Sequence, residues 1–165
     1  MTLQSTPPIS IGNVATELGL SLPLSLGHAW VIALAGKSAL PVSLGDLLGK
    51  TGTCNQTSLC SGEANGLIIS LGLDPLFGGQ LNYFGTAHNV PGGTYSAQLQ
   101  FYTGTGAPLT NWTGNFKITN NTTGASLVLP PMGGYAWGMT ESSPFVPANL
   151  LRANLADNFT IAPST

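Results

Sequence analysis

Hydrophobic and polar positions follow one pattern three times in the first third of the chain. The segments are ISIGNVATELG at residues 9–19, LSLGHAWVIALAG at 24–36 and VSLGDLLGK at 42–50. Each begins with a serine between two aliphatic residues, which is the alternation of a short extended segment. A glycine and a polar residue follow, and an apolar run then ends at glycine. Each unit therefore predicts a short strand, a turn and a brief helix.

The polar residue after each turn glycine stands where the helix is expected to begin. Asn13, His28 and Asp46 occupy this position and are predicted to cap the three helices. Asparagine and aspartate are strong caps because a side-chain oxygen accepts an orphan backbone N–H, and histidine is a weaker one. Glycine is favoured just past a helix C-terminus. The predicted stops are Gly19, Gly36 and Gly49.

The pattern changes to strands in the second part of the chain. In residues 94–103 Tyr95, Ala97, Leu99 and Phe101 alternate with polar residues, which favours antiparallel pairing with one polar face. Turns rich in glycine, proline and asparagine separate similar short runs, and such regular spacing is typical of an antiparallel β-sandwich. The seven predicted strands are 67–73, 80–84, 94–103, 114–119, 126–130, 135–139 and 158–162.

These patterns predict a mainly β protein in two parts. Residues 1–53 form an N-terminal docking arm of strand–turn–helix repeats, and 66–165 form the β-sandwich. Residues 54–65, which are small and polar, are predicted to link the two.

Helices as short as those of the arm need tertiary or intersubunit contacts to persist, so its apolar positions are expected to form an interface. Trp30 is the strongest candidate anchor, since tryptophan is enriched among interface hot spots. A competing interpretation makes the repeats an intramolecular cap on the sandwich. The predicted docking residues are Val14, Leu18, Trp30, Ile32, Leu34, Leu44, Leu47 and Leu48.

Composition points to an assembly. Hydrophobic residues make up 42% of the 165 residues, enough for a core, whereas charged residues make up only 6%. Typical soluble domains carry about 25% charged residues, so this surface gives little electrostatic protection against association. We therefore expect a homo-oligomer or a subunit of a larger particle.

The few basic residues and the short apolar run argue against nucleic acid and a membrane as partners. Four scattered basic residues and a net charge of −2 offer no basic patch, so neither nucleic acid nor an anionic membrane is an expected partner. The apolar run 29–35 is far shorter than the roughly 20 residues of a spanning helix, so no membrane insertion is expected.

The acidic residues, histidines and short motifs of the sequence do not indicate an enzyme. The six acidic residues are widely spaced and give no acid–base pair, and His28 and His88 lack metal-ligand spacing. No nucleophile elbow or phosphate-binding loop is present. The sequence therefore predicts no catalytic residue, no metal and no cofactor.

Two further features are candidates for structure or binding. Cys54 and Cys60 enclose five residues and could close a disulfide, although a reducing cytosol favours free thiols. Most aromatic residues of the β part are expected in the core or in interfaces. Trp112, beside a polar segment, is the candidate to contact a host-surface glycan.

The order of the three repeats resembles tailed-bacteriophage virion proteins of the tail and tail-fibre type. Those proteins often open with a form like ISLGDVNVELG, ISLGDAAVRALAG and ISLSDLYGKS, which residues 8–51 match in order, including the closing Gly-Lys. Here Asn13 and His28 replace the usual aspartate, and Trp30 is bulkier than expected. The resemblance implies a structural virion protein, assembled in the bacterial cytoplasm with other virion proteins. It implies no activity.

Two alternatives stay open. A phage capsid decoration protein would share this composition. A secreted carbohydrate-binding or adhesin-like β-sandwich would suit the glycosylation triplets, although such triplets arise by chance in a chain rich in asparagine and threonine. These triplets begin at Asn55, Asn111, Asn120, Asn121 and Asn158.

Overall fold

The protein is mainly β, with 41% of its residues in strands and 11% in helices. The computed structural model describes residues 2–63, 65–89 and 93–165. The helical elements are α1 (Ile11–Leu18), α2 (Ala29–Leu34) and a 3₁₀ helix (Leu44–Leu47). The strands are β1 (Cys54–Glu63), β2 (Gly66–Ser70), β3 (Pro75–Leu76), β4 (Gly79–Asn89), β5 (Thr94–Phe101), β6 (Asn115–Asn120), β7 (Ser126–Leu129), β8 (Pro131–Gly133), β9 (Ala136–Glu141) and β10 (Ala156–Ser164).

All strand pairs described are antiparallel and belong to one sheet. Its order is β7-β6-β10-β1-β2-β4-β5-β9-β8, and β3 pairs with β4. The terminal strands of this path, β7 and β8, are separated in sequence by Pro130 alone. One extended run of the chain therefore pairs with β6 through β7 and with β9 through β8. Between the two strands, the carbonyl of Pro130 accepts the N–H of Gly138 at 2.8 Å. The sheet is therefore nearly barrel-shaped.

Strand β1 explains why the sheet is continuous where two stacked sheets were expected. Its first half, Cys54–Leu59, pairs with β10, and its second half, Cys60–Glu63, pairs with β2. The strands that would have formed two separate layers are joined through it. The expected antiparallel pairing is confirmed, but the two-layer arrangement is replaced by a single curved sheet.

The same strand corrects the predicted linker. Residues 54–63 lie at the centre of the sheet, and residue 64 lies outside the described residues. The composition resembles a loop because polar side chains occupy inward positions between two buried cysteines. Gln56 and Ser58 are accommodated there because both donate to the carbonyl oxygen of Ser70, at 3.3 Å and 2.8 Å.

Each of the seven predicted strands overlaps a strand of the structure. Besides β1, the sequence pattern missed β3 and β8, which are two and three residues long. Both begin with a proline, a residue that ordinarily argues against a strand because it cannot donate to the ladder.

The first and third repeats begin their helices at serine, which corrects two predicted caps. Ser10 and Ser43 are the N-caps, while Asn13 and Asp46 lie at the third helical position. Asn13 Oδ1 accepts the N–H of Ser10 at 2.9 Å, and Asp46 Oδ2 accepts the N–H of Ser43 at 2.7 Å. This reciprocal arrangement is a capping box, in which the residue three positions on bonds back to the cap.

The second repeat uses the same residues differently. His28 is the N-cap of α2, as predicted, and its Nδ1 accepts the N–H of Trp30 at 3.3 Å. Ser25 instead holds a turn, because its hydroxyl accepts the N–H of Gly27 and its carbonyl accepts the N–H of His28, both at 3.0 Å. The His28 imidazole bonds to a residue that follows it, whereas Asn13 and Asp46 bond to the serine three residues before them. Relative to the repeat serine, α2 therefore starts three residues later than the other two helices.

The glycine stops are confirmed. Gly19, Gly36 and Gly49 have φ angles of 66°, 73° and 67°, the left-handed conformation that ends a helix. A proline two positions before each repeat serine is a further shared feature that the sequence interpretation overlooked. These residues are Pro8, Pro23 and Pro41.

The N-terminal segment packs on the sheet and shares its hydrophobic core. Val14, Val31 and Leu47, one from each repeat, are fully buried in the same cluster as Phe84 and Phe159 of the strands. In this structure the repeats therefore cover the sheet, which is the arrangement expected of an intramolecular cap.

Glu17 of α1 fastens the first repeat to the start of β1. Its buried Oε1 accepts the N–H of Gly52 at 2.8 Å and that of Thr53 at 3.0 Å. A Cβ at position 52 would lie 2.8 Å from Leu18 Cδ2, so a larger residue there would have to displace the end of that buried side chain. Burial raises the pKa of Glu17 above its usual value, and the N–H donors oppose that rise.

A second buried polar group fastens the segment that precedes β10. Asn120 Nδ2 donates to the carbonyl of Leu150 at 3.0 Å and to Asp157 Oδ2 at 2.9 Å. Asp157 also forms an ion pair with Arg152, which lowers the pKa of this carboxyl. The Asn120 oxygen accepts the N–H of Thr122 at 2.9 Å, so the amide is satisfied at both ends.

The raised pKa of Glu17 predicts a pH-dependent difference between the wild type and Glu17→Gln. A folded pKa above the unfolded value penalises the ionised form, so the wild type gains stability relative to the variant as pH falls from 7 towards 4.5. The measurement is the free energy of unfolding in urea at several pH values. The other carboxyls contribute equally to both proteins, so their effect cancels in the difference between the two free energies of unfolding. A difference that stays constant with pH would contradict the expectation.

Asn120 and Asn121 form a matched pair of neighbours, one buried and one exposed. Asn120→Ala is expected to lower the free energy of unfolding by roughly 3 kcal/mol, because it leaves buried polar partners unsatisfied. Asn121→Ala should cost less than about 1 kcal/mol, since water replaces its bonds. Guanidinium denaturation of both variants measures the two values, and equal losses would refute the role of the buried amide.

Candidate functional site

The eight predicted docking residues divide into two groups. Four of them are buried in the core of the chain itself and cannot be reached by a partner while the protein is folded; these are Val14, Leu18, Leu34 and Leu47. The other four remain half-exposed; these are Trp30, Ile32, Leu44 and Leu48. The burial of the first group follows from the amphipathic helices, whose apolar sides face the sheet.

Trp30 is an internal contact as well as a surface residue. Its ring meets that of Trp112 edge-on, with centroids 5.3 Å apart and planes at 89°. The Trp112 ring in turn packs against the buried rings of Phe77 and Phe116, with centroids 5.0 Å and 6.0 Å away. This aromatic chain joins the second repeat to the sheet.

Trp112 is therefore not a surface residue that could stack on a sugar, which corrects that assignment. Its side chain is 5% exposed, and its Nε1 donates to the carbonyl of Asn115 at 2.9 Å. The polar residues around it in the sequence gave no sign that the ring turns inward.

The exposed side of α2 forms the floor of a depression of about 620 Å³. Ala29 and Ala33 lie four residues apart and so share one side of the helix, and Gly36 follows just past its C-terminus. These small residues leave space that Ile32 borders with apolar surface, and Asn111 and Thr113 line it from another part of the chain.

Two glycines leave room for Asn111 at the edge of this depression. The N–H of Asn111 donates to the carbonyl of Phe77 at 2.8 Å, which ties this part of the chain to the sheet. Its side-chain nitrogen would lie 3.2 Å from a Cβ at Gly36 and 2.8 Å from one at Gly78. Both glycines also have positive φ angles, so larger residues would be strained and would push the amide away.

Lys37, the charged residue among those lining the depression, is locally neutralised. Its Nζ lies 2.7 Å from Asp46 Oδ2 and donates to the carbonyl of Pro41 at 2.9 Å. The hydrogen bond from Lys37 lowers the pKa of Asp46 to about 2. The depression thus has an apolar floor and a neutral polar rim, which suits contact with another protein surface.

The histidines do not form part of a metal cluster among the described residues. His88 stacks flat on Tyr95, with ring centroids 4.0 Å apart. Within the part of the chain that is described, no three His, Cys, Asp or Glu side chains come close enough together to hold a metal ion.

The two cysteines are free and buried, and the structure excludes a disulfide between them. They lie six residues apart on β1, which at about 3.3 Å per residue separates them by roughly 20 Å. A disulfide needs Cα atoms within about 7 Å. Cys54 Sγ donates to Asp74 Oδ2 at 3.6 Å, and burial together with this carboxylate raises the pKa of the thiol to about 12.

No protein-family model matches the chain, and no curated protein or solved structure is significantly similar to it. Among the described residues, no helix is long and apolar enough to cross a membrane.

Of the residues that line the α2 depression, the sequence interpretation found Ile32 and missed the small ones. A signal was present, because Ala29 and Ala33 lie one helical turn apart and Gly36 follows just past the helix end. The contribution of Asn111 and Thr113 had no comparable signal, since they reach α2 only through the fold.

Both thiols are expected to resist alkylation in the folded protein. Roughly one Cys54 in ten thousand is a thiolate at pH 8 when its pKa is about 12, and burial raises the pKa of Cys60 as well. Mass spectrometry after iodoacetamide should show no adduct under native conditions and two adducts in concentrated guanidinium. A native adduct, or a mass lower by two hydrogen atoms through oxidation to a disulfide, would contradict this geometry.

Proposed function

We propose that this chain is a structural component of a bacteriophage virion, of the tail or tail-fibre type, that assembles through its N-terminal repeats. The observation that carries the proposal is the neutral, apolar-floored depression on α2, in the middle of the repeats that resemble phage proteins. The repeats remain on the sheet, and the second one presents the contact surface.

Two surface properties support an assembling role. Leu22 and Leu40, in the segments between repeats, are 59% and 60% exposed. Large exposed apolar side chains favour association. The low content of charged residues acts in the same direction, so we propose a homo-oligomer that also contacts other virion proteins.

The asparagine triplets that would suit a glycosylated secreted adhesin have a structural role in this fold. Asn55 and Asn158 lie on the outer face of β1 and β10, where each is followed two residues later by an outward threonine. Asn55 Nδ2 donates to Thr160 Oγ1 at 2.8 Å, and Asn158 Nδ2 donates to Asn55 Oδ1 at 3.1 Å. Three of the five triplets, those at Asn55, Asn121 and Asn158, thus contribute to hydrogen bonds between neighbouring strands.

Immunogold electron microscopy of particles from a producing culture tests the proposal and its alternatives. Gold confined to tails or fibres is the expected result. Gold over the head would indicate a capsid decoration protein. Particles that carry no label, with the protein recovered in the medium free of virions, would refute a structural virion role.

Ala29→Glu is expected to disrupt assembly while leaving the fold intact. The exposed side chain places a negative charge in the depression, and a carboxylate is tolerated at the N-terminus of a helix. Ser21→Glu, an exposed change in the same segment, is the control. Sedimentation velocity should show dissociation for Ala29→Glu alone, with unchanged melting temperatures for both.

Trp30→Ala measures, by urea denaturation, how much the second repeat contributes to stability as a cap on the sheet. Loss of the Trp30–Trp112 contact should lower the free energy of unfolding by about 2 kcal/mol. If Ala29→Glu sediments like Ser21→Glu, the depression is not the assembly surface, and the repeats act as a cap alone.

A further inference from the structure

A second depression, which shares no lining residue with the one on α2, lies on the outer face of β2, β4 and β5. The register places Ile68 beside Gly85, and Gly85 beside Gln98, in one row across the three strands. The alternate residues Ile69, Phe84 and Leu99 are fully buried, so this row points away from the core.

Gly85 forms the floor of this depression, and no described residue of the chain requires a glycine there. A Cβ at position 85 would meet nothing closer than the carbonyl oxygen of Leu67 at 3.4 Å, and the residue has no positive φ. By contrast, Gly62 has a φ of 107°, and its Cβ would lie 2.1 Å from the carbonyl oxygen of Gly66. Glycine weakens a strand interior and often marks close approach by a ligand.

The side chains around Gly85 combine apolar, aromatic and neutral polar groups. Ile68 is 40% exposed and Tyr83 is half-buried, so both present apolar surface. Ser96 and Gln98 face the same space with a hydroxyl and an amide. A sugar ring requires both kinds of contact, since its C–H faces pack on apolar and aromatic groups and its hydroxyls bond to amides and hydroxyls.

The charge and volume of the depression restrict the class of ligand that fits it. None of the described residues that line the depression is charged, so an anionic sugar or a phosphate would find no cation among them to pair with. The volume is about 270 Å³, just below the range of roughly 300–1,000 Å³ that is typical of sites for drug-sized ligands. The space therefore suits one ring and not a folded segment of protein.

We propose that the outer face of β2, β4 and β5 binds a neutral pyranose in the depression over Gly85. The ring lies against Tyr83 and Ile68, and Gln98 and Ser96 bond to its hydroxyls. This proposal deepens the proposed function by naming a surface for a host glycan, yet it concerns a site separate from the assembly surface. An assembly defect would leave it intact, and its own failure would leave the virion role intact.

Saturation-transfer NMR on the full chain tests the site with methyl glycosides of glucose, galactose, mannose and N-acetylglucosamine. At least one is expected to bind, and Gly85→Val should weaken its binding at least tenfold. Because valine suits a strand and meets no clash at its Cβ, the melting temperature of this variant should not fall. Thr57→Val, on the outer face of β1, is the matched control and should bind like the wild type.

Several results would overturn the proposal. These are no transfer to any neutral glycoside, unchanged binding by Gly85→Val, or equal binding of methyl glucuronide, which would remove the case for a neutral ligand. If Gly85→Val does not fold, as judged by circular dichroism, Gln98→Ala takes its place. This variant removes the amide from the rim, and unchanged binding by it would likewise reject the site.

Discussion

Strand β1 changes partner halfway along its length, and the arrangement of all the other strands depends on that change. Cys54–Leu59 pairs with β10, and Cys60–Glu63 pairs with β2. Without this shared strand, β7-β6-β10 and β2-β4-β5-β9-β8 would be two separate sheets with four edges. The second connection, through Pro130, brings the remaining edges together. The two links bend one sheet nearly into a barrel, and few edge N–H and C=O groups are left for unwanted pairing.

The N-terminal repeats are attached at the point where β1 begins. Glu17 accepts the N–H groups of Gly52 and Thr53, and the carbonyl of Thr51 accepts the N–H of Phe77 at 2.8 Å. The short segment before β1 is therefore held from both sides, by α1 and by the chain after β3. Because helices of six to eight residues are marginal alone, this attachment and the shared core keep the repeats folded. The exposed side of α2 is then a rigid surface on a stable body.

The sequence predicted what depends on local pattern and missed what depends on distant partners. Alternation located seven strands, and Gly19, Gly36 and Gly49 located the helix ends, because both signals arise within a few residues. The inward side of β1 carries Gln56 and Ser58, whose acceptor on Ser70 is visible only in the fold, so a central strand resembled a linker.

The candidate site shows the same division. The apolar positions of the repeats were recognisable, but periodicity does not say whether an apolar side meets the same chain or another one. Val14 and Leu47 meet the sheet, whereas the α2 depression is lined by Ile32 together with small and polar residues that no hydrophobic count selects. Trp112 was misassigned for the same reason, since its aromatic neighbours Trp30 and Phe77 lie far away in sequence.

The low charge of this protein has a structural counterpart on the outer face of the sheet. On β1 and β10, Asn-x-Thr runs antiparallel to Asn-x-Thr, so Asn55 lies opposite Thr160, and Thr57 lies opposite Asn158. Each amide then finds a hydroxyl or amide on the neighbouring strand, and Asn121 extends the set from the other side of β10, donating to Thr160 Oγ1 at 2.8 Å. Side chains that hold one another in place lose little further entropy when a second surface covers them, and neutral groups cost less to remove from water than charges do. A surface of this kind is suited to contact with another molecule, because strong charge would add a desolvation cost to such a contact.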